Sequence, residues 1–228
     1  MSQTRQNTVM VTETHQDLAS TAIERSNLYG LLADVFHSEP TPELLDFICS
    51  EDFTQAAQDM GVDFGEDLYN QPQPETLEQL AIEYTRLFLG PGKHISPHES
   101  VQLKKSAHLL WGEETAVVKQ FMLDAGFEAP EDGGIFPDHI SIELMFMSWL
   151  TSNEAQAWAD GDLEQASRSL DWQHGFVSRH LSKWVAEFCR KIREQADYPF
   201  YREFSEILRS FVSGEKKDIR DRSSSSKQ

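Results

Sequence analysis

Apolar side chains in this chain recur every three or four residues, and no stretch alternates apolar with polar. Leu18, Ala22, Tyr29, Leu32 and Phe36 fall at spacings of three, four or their sums, and Leu28, Leu31 and Val35 widen the stripe. That period puts them on one face of an α-helix rather than on one side of a strand. Glu39-Pro40-Thr41-Pro42 ends this helix; Thr41 is placed to cap the next one, with Pro42 in its first turn, where a missing N–H costs nothing. Ser50 is a cap for a third, short helix ending near Gly61, and Asn70 to Pro74 is a polar linker. Leu77, Leu80, Ala81, Tyr84, Leu87 and Phe88 form a further stripe, stopped by Gly90-Pro91-Gly92.

Beyond a loop rich in Pro, His and Ser, a helix spans about Glu113 to Ala125 and stops at Gly126. An acidic, turn-rich loop, Pro130 to Gly134, leads to a helix begun by Asp138 or a close neighbour. Its segment Leu144 to Leu150 is apolar on nearly every face, as a central helix is. Phe176, Val177, Leu181, Trp184, Val185, Phe188 and Ile192 read as one long helix; Pro199 breaks it, and Phe200, Phe204, Ile207, Leu208 and Phe211 mark the last. The expected fold class is all-α, with about eight to ten helices in a single large helical domain or two helical subdomains. The segment Gly90 to Ser100 reads equally as a loop, a hinge or a domain-swap point. Order is expected over residues 17–213, with a disordered start (1–16) and a polar, serine-rich tail (214–228).

The 228 residues carry a net charge of −18, distributed unevenly. Between Glu113 and Glu164 twelve acids face the single base Lys119, whereas the tail from Gly214 is net positive. Such a surface repels nucleic acid and anionic lipid and attracts basic partners, although a solubilising surface looks the same. No apolar run approaches the roughly 20 residues that span a bilayer, and the polar start lacks the apolar centre of a secretory signal. Two cysteines, Cys49 and Cys189, are too few for a disulfide framework and make the reducing cytoplasm the default setting.

Two segments concentrate ionisable groups at helix ends: Glu83 to Gly92 with Ser96 to Ser100, and Pro137 to Leu144. His139 and Glu143 are four apart and would share a helix face, so with Asp138 they suit a proton relay or part of a metal site. The plainer reading makes Asp138 a helix cap, His139 and Glu143 a local polar pair, and Glu99 a cap or a solvated acid. A metal-dependent enzyme would have to use His94, His98, His139 and Glu143. No His-Glu-x-x-His, Gly-x-Ser-x-Gly, Walker or Gly-x-Gly-x-x-Gly pattern accompanies them. Ionisable residues without a nucleophile or a complete ligand set favour recognition over chemistry.

Taken together, Tyr84-Thr85-Arg86-Leu87-Phe88, Gly90-Pro91-Gly92, Pro97-His98-Glu99-Ser100 and Asp138-His139 followed by Glu143-Leu144 resemble the TorD/DmsD family of redox-enzyme maturation chaperones. The likeness runs from Leu18 to Val212 and departs at Val101, where relatives commonly carry an aromatic residue. The resemblance implies a cytoplasmic, non-enzymatic chaperone without a cofactor of its own. Its partners would be the twin-arginine signal peptide and the apo form of a molybdenum oxidoreductase, which it would guard from premature export and help to receive molybdopterin. It implies either a monomer or a domain-swapped dimer, with neither nucleic acid nor membrane insertion. By match, the Asp-His pair linked to peptide binding falls on Asp138 and His139. Pro137, Glu143, Tyr84 and Glu99 complete the client-binding set expected from the two segments. A twin-arginine peptide needs carboxylates for its guanidinium groups and an apolar groove for the segment beside them.

Overall fold

The structure, a computed structural model, describes residues 14–103, 112–130 and 134–225. Among these the chain is predominantly helical and forms no strand beyond one isolated bridge. It has eleven α-helices, nine of them at least seven residues long. They are α1 (His15–His37), α2 (Pro42–Ile48), α3 (Glu51–Asp59), α4 (Glu66–Asn70), α5 (Gln73–Tyr84), α6 (Glu99–Gln102), α7 (Glu113–Ala125), α8 (Ile140–Asp160), α9 (Leu163–Arg179), α10 (Leu181–Gln195) and α11 (Pro199–Ser225).

Local chemistry sets most of the boundaries. Thr14 and Asp17 form a reciprocal capping box at the start of α1. Thr41 Oγ1 accepts the Leu44 N–H at 3.2 Å, and Ser50 Oγ accepts that of Phe53 at 3.4 Å. Gly126 and Gly161 end α7 and α8 in the left-handed region, with φ of 91° and 71°. The polar linker expected over Asn70 to Pro74 is reduced to Gln71-Pro72, because α4 runs up to it and α5 begins just after it.

Helix α8 is the centre. It packs along α1 on one side and α9 on the other, while α10 and α11 pack together behind them. Phe146 and Phe176 on these helices meet edge to face at 4.8 Å, and Phe36 of α1 stands at 5.8 Å from Phe188 of α10. Met147 is buried in this core, as its apolar surroundings in the sequence suggest.

Two elements depart from the sequence reading. Phe176 to Ile192 is not one helix: the chain breaks at His180, whose φ of −120° and ψ of −88° are non-helical. No glycine or proline marks that break, and a tertiary partner holds it, since His180 Nδ1 lies 3.0 Å from the carboxylate of Glu99. The final helix does not stop at Ser213 but continues to Ser225. Its extension is anchored by Glu215, which receives the buried Arg25 guanidinium through Nε at 2.8 Å and Nη2 at 2.6 Å, and the Tyr29 hydroxyl at 2.9 Å. Arg25 also donates to Glu154 at 2.8 Å and Gln173 at 2.6 Å, so one guanidinium joins α1, α8, α9 and α11. Residues 1–13, 104–111, 131–133 and 226–228 lie outside the described residues; they include most of the expected disordered start and the tip of the acidic loop.

Candidate functional site

The two ionisable segments meet in space. Helix α5 ends in a wider, π-helical turn, Thr85–Leu89, and Gly90 follows so closely that a Cβ there would sit 3.3 Å from the Thr85 carbonyl oxygen. Ile95 N–H returns to the Leu87 carbonyl at 2.7 Å. The strand-like stretch after it then crosses the residues before α8. Ile140 N–H donates to Pro97 O at 2.8 Å, Glu99 N–H donates to Asp138 O at 2.9 Å, and His98 and His139 face each other as a lone antiparallel bridge.

Within the first segment several side chains serve the fold. Glu83 is buried and accepts the Asp197 N–H at 2.6 Å, and Arg86 donates to Glu83 at 2.8 Å and to the Gln195 carbonyl at 2.7 Å. Together they tie the end of α5 to the turn between α10 and α11. The Tyr84 hydroxyl donates to the His37 carbonyl at 3.0 Å while its ring borders a cleft. Burial pushes that phenol up to about 12.

Asp138 is fully buried and caps α6 rather than α8: its Oδ2 accepts the Ser100 N–H at 3.1 Å. Its Oδ1 faces His98 Nδ1 at 3.7 Å, an electrostatic contact beyond hydrogen-bond range. Burial disfavours its charge, but His98 and Ser100 outweigh that and hold the carboxyl below its ordinary value. His139 caps α8, with Nδ1 accepting the Ser141 N–H at 3.2 Å. Burial first, then the neighbouring His98 and His37, lower its pKa to about 3, so the ring is neutral. Ser141 Oγ lies 2.8 Å from His139 Nδ1 and 3.1 Å from His37 Nδ1. With Nδ1 of His139 committed as an acceptor, Ser141 donates to it and His37 donates to Ser141. That leaves Nε2–H as the donor His139 can offer to a ligand.

Glu143 does not pair with His139. It turns into the interior, where Trp184 Nε1–H donates to its Oε2 at 3.2 Å and Glu99 is its neighbour. Glu99, read from sequence as a cap or a solvated acid, is 3% exposed and pairs with His180. Among the described residues no three His, Cys, Asp or Glu side chains converge to hold a metal ion. His94 is exposed, and Glu143 does not border the cleft that His98 and His139 share, so the set a metal enzyme would need does not converge.

The crossing of the two segments walls a cleft of about 1290 Å³. Tyr84, Phe88, Leu89, Ile95, Val101, Ile135 and Phe136 supply its apolar surface; His94, His98 and His139 border it, whereas Pro137, Asp138, Glu99 and Glu143 do not. Its charges are of both signs, with Lys93, Arg190 and Lys191 against Glu39 and Glu194. It adjoins a second cleft of about 760 Å³ through the shared residues His37, Ser38 and Glu39. The second cleft carries Asp34, Glu39 and Glu43 around Leu31, Leu44 and Phe47, and Phe47 is 52% exposed.

Sequence reasoning missed His37, His180, Ser141, Trp184 and the Glu39 rim. Only His37 and Glu39 had a visible signal, a polar pair at the end of a helix stripe beside a proline turn. His180 and Trp184 depend on contacts with residues distant in the chain, and Ser141 joins its neighbour His139 to the distant His37.

The sequence model of the family described as nitrate reductase delta subunit matches residues 40–190. The chaperone protein TorD of Shewanella pealeana is 26% identical over 211 residues, 84% of this chain and 87% of that one. The Tat proofreading chaperone DmsD of Salmonella paratyphi A is 27% identical over 133 residues, 58% of each chain. A selenate reductase assembly chaperone protein of Thauera selenatis is 40% identical over 63 residues, 27% of this chain and 31% of that one.

Proposed function

The chain belongs to the nitrate reductase delta subunit family, and from that membership we propose that it is a dedicated maturation chaperone for a molybdenum-containing oxidoreductase. It binds the twin-arginine signal peptide of the apoenzyme in the cytoplasm, delays export and assists cofactor insertion. It performs no catalysis itself. The names of its relatives, a Tat proofreading chaperone and a selenate reductase assembly chaperone among them, support this reading. No helix among the described residues is long and apolar enough to cross a membrane.

The observation that carries the proposal is the 1290 Å³ apolar cleft built where the two family segments cross. Its size and lining suit a peptide side-chain row rather than a flat contact. The apolar part of the signal peptide lies along Phe88, Leu89 and Ile135, and His139 offers Nε2–H to a peptide carbonyl. The arginines are directed to the exposed carboxylates at the rim, Glu39 with Asp34 and Glu43. Asp138 acts behind this surface, capping α6 and facing His98, because its burial keeps it from a guanidinium. Calorimetry with a synthetic twin-arginine signal peptide tests the site. Leu89, 63% exposed on the cleft wall, can be changed to Glu without disturbing the core. Leu89→Glu should lower affinity at least about tenfold, one buried apolar contact's worth. Glu39→Gln should weaken binding of the twin-arginine peptide and leave that of a peptide lacking both arginines unchanged. Equal affinity for Leu89→Glu and the parent chain would remove the cleft from the proposal.

A further inference from the structure

Glu99 and Glu143 are 3% and 0% exposed, and their carboxyl groups are neighbours. The donors around them are few. Trp184 Nε1–H donates to Glu143 Oε2 at 3.2 Å, and His180 Nδ1 stands 3.0 and 3.3 Å from the two oxygens of Glu99. Glu143 Oε1 is buried and faces no donor. Two ionised carboxylates are acceptors only, so this contact is unsatisfied unless one of them carries a proton. Like charges in a dry site point the same way, since both cannot ionise together without a large penalty. His180 Nδ1 faces both oxygens of Glu99 whereas Glu143 Oε1 has no partner, which leaves the proton on Glu143, whose O–H then donates to Glu99.

We propose that Glu99 and Glu143 share one proton, and that this proton, together with His180, fixes the α6 segment and so sets the width of the peptide cleft, making client binding proton-linked. The cleft half of this inference rests on the client-binding reading above. The connection is mechanical. Glu99 opens α6, and the same four-residue helix carries Val101 and Gln102 on the cleft wall. Gln102 is held there by Lys191 at 2.6 Å and by the Ser96 carbonyl at 2.6 Å. Removing the proton places two buried charges in contact at the base of α6 and drives that helix away from α8 and α10. Burial, and then the negative neighbours Glu99 and Asp138, hold the Glu143 carboxyl well above the usual range, with Trp184 opposing. The charged or titratable groups around it are Glu99 from α6, Asp138 and His139 at the start of α8, and His180 from the α9–α10 junction. The variant below keeps the histidines of the cleft itself, His37, His94 and His98, so a comparison with the parent chain isolates position 143.

The test compares the full chain with Glu143→Gln, which donates to Glu99 but does not titrate. Difference infrared spectroscopy should show a protonated carboxyl at neutral pH in the parent chain and none at this position in the variant. Hydrogen exchange at the Ser100, Gln102 and Leu103 amides, corrected for its intrinsic pH dependence, should lose protection in the parent chain as pH rises. The loss should be at most about tenfold per pH unit, the limit for one coupled proton. The variant should keep its protection. Twin-arginine peptide affinity should fall with rising pH more steeply in the parent chain than in the variant. If Glu143→Gln folds poorly, Glu99→Gln serves instead, because an amide donor opposite Glu143 lets it ionise and abolishes the carboxyl band. Absence of the band, or parallel exchange profiles, overturns the shared proton. Parallel affinity profiles with the band present overturn its link to the cleft. A peptide that binds neither protein at any pH overturns the client reading, while the band and the exchange data still decide the shared proton.

Discussion

Replacing Asp138 by Ala removes the acceptor of the buried Ser100 N–H and the charge facing His98. The expected cost is about 1–3 kcal/mol of stability, read from urea midpoints, with loss of peptide affinity following from the displaced α6 rather than from a lost arginine contact. His139→Ala should lower affinity with less effect on stability than Asp138→Ala, since it deletes the donor offered to the peptide together with one cap. The two residues adjacent in sequence thus separate by experiment into a positioning group and a contact. Titration of the region has two opposite signs. His139 is neutral in the fold with a pKa near 3 against 6.5 for the free side chain. The unfolded chain therefore takes up the proton first, and stability falls as pH drops from 6.5 toward 3. Glu143 is raised from 4.5, so its contribution is complete below 4.5 and declines as pH rises through the folded value. Thermal unfolding across pH should show the acid limb flattened in His139→Asn, which keeps a capping side chain, and the alkaline limb flattened in Glu143→Gln.

At the scale of the element, the sequence reading locates nearly every helix whose ends carry chemical punctuation. Thr41-Pro42, Ser50, Gly126 and the apolar run of α8 act through neighbours three or four residues away, so a local reading finds them. The break at His180 and the extension of α11 act through residues 81 and 190 positions distant, Glu99 and Arg25. Composition after Ser213, rich in serine and charge, reads as a tail, yet Glu215 and Ile219 are buried. Truncation after Ser213 should therefore destabilise the chain by about 3–5 kcal/mol, the cost of leaving a buried Arg25 without its bidentate partner. Glu215→Ala alone should reproduce most of that loss in denaturant unfolding. A truncated chain as stable as the full one would show that Arg25 finds another acceptor.

Over the whole molecule, charge is placed differently from its order in the sequence. The net −11 of Glu113 to Glu164 suggests a carboxylate field around Asp138, but Asp138, Glu143 and Glu154 are buried in that stretch and bind the protein's own groups. Apart from Glu194 of α10, which pairs with Arg190, the exposed acids beside the cleft come instead from the end of α1 and the start of α2. Because those carboxylates are in water, affinity for the twin-arginine peptide should decline as salt rises above the physiological range, where screening acts within about 8 Å. A salt-independent affinity would assign the binding energy to the apolar cleft alone. By itself the sequence determined the helical class, the capped boundaries and the two segments where ionisable groups gather at helix ends, since each follows from residues within one or two turns of one another. Only the tertiary structure decided that those segments cross, that Asp138 caps a distant helix, and that Glu99 and Glu143 meet in the dark. Burial and pairing are properties of space around a side chain, and that space is closed by helices that lie tens of residues away in the chain.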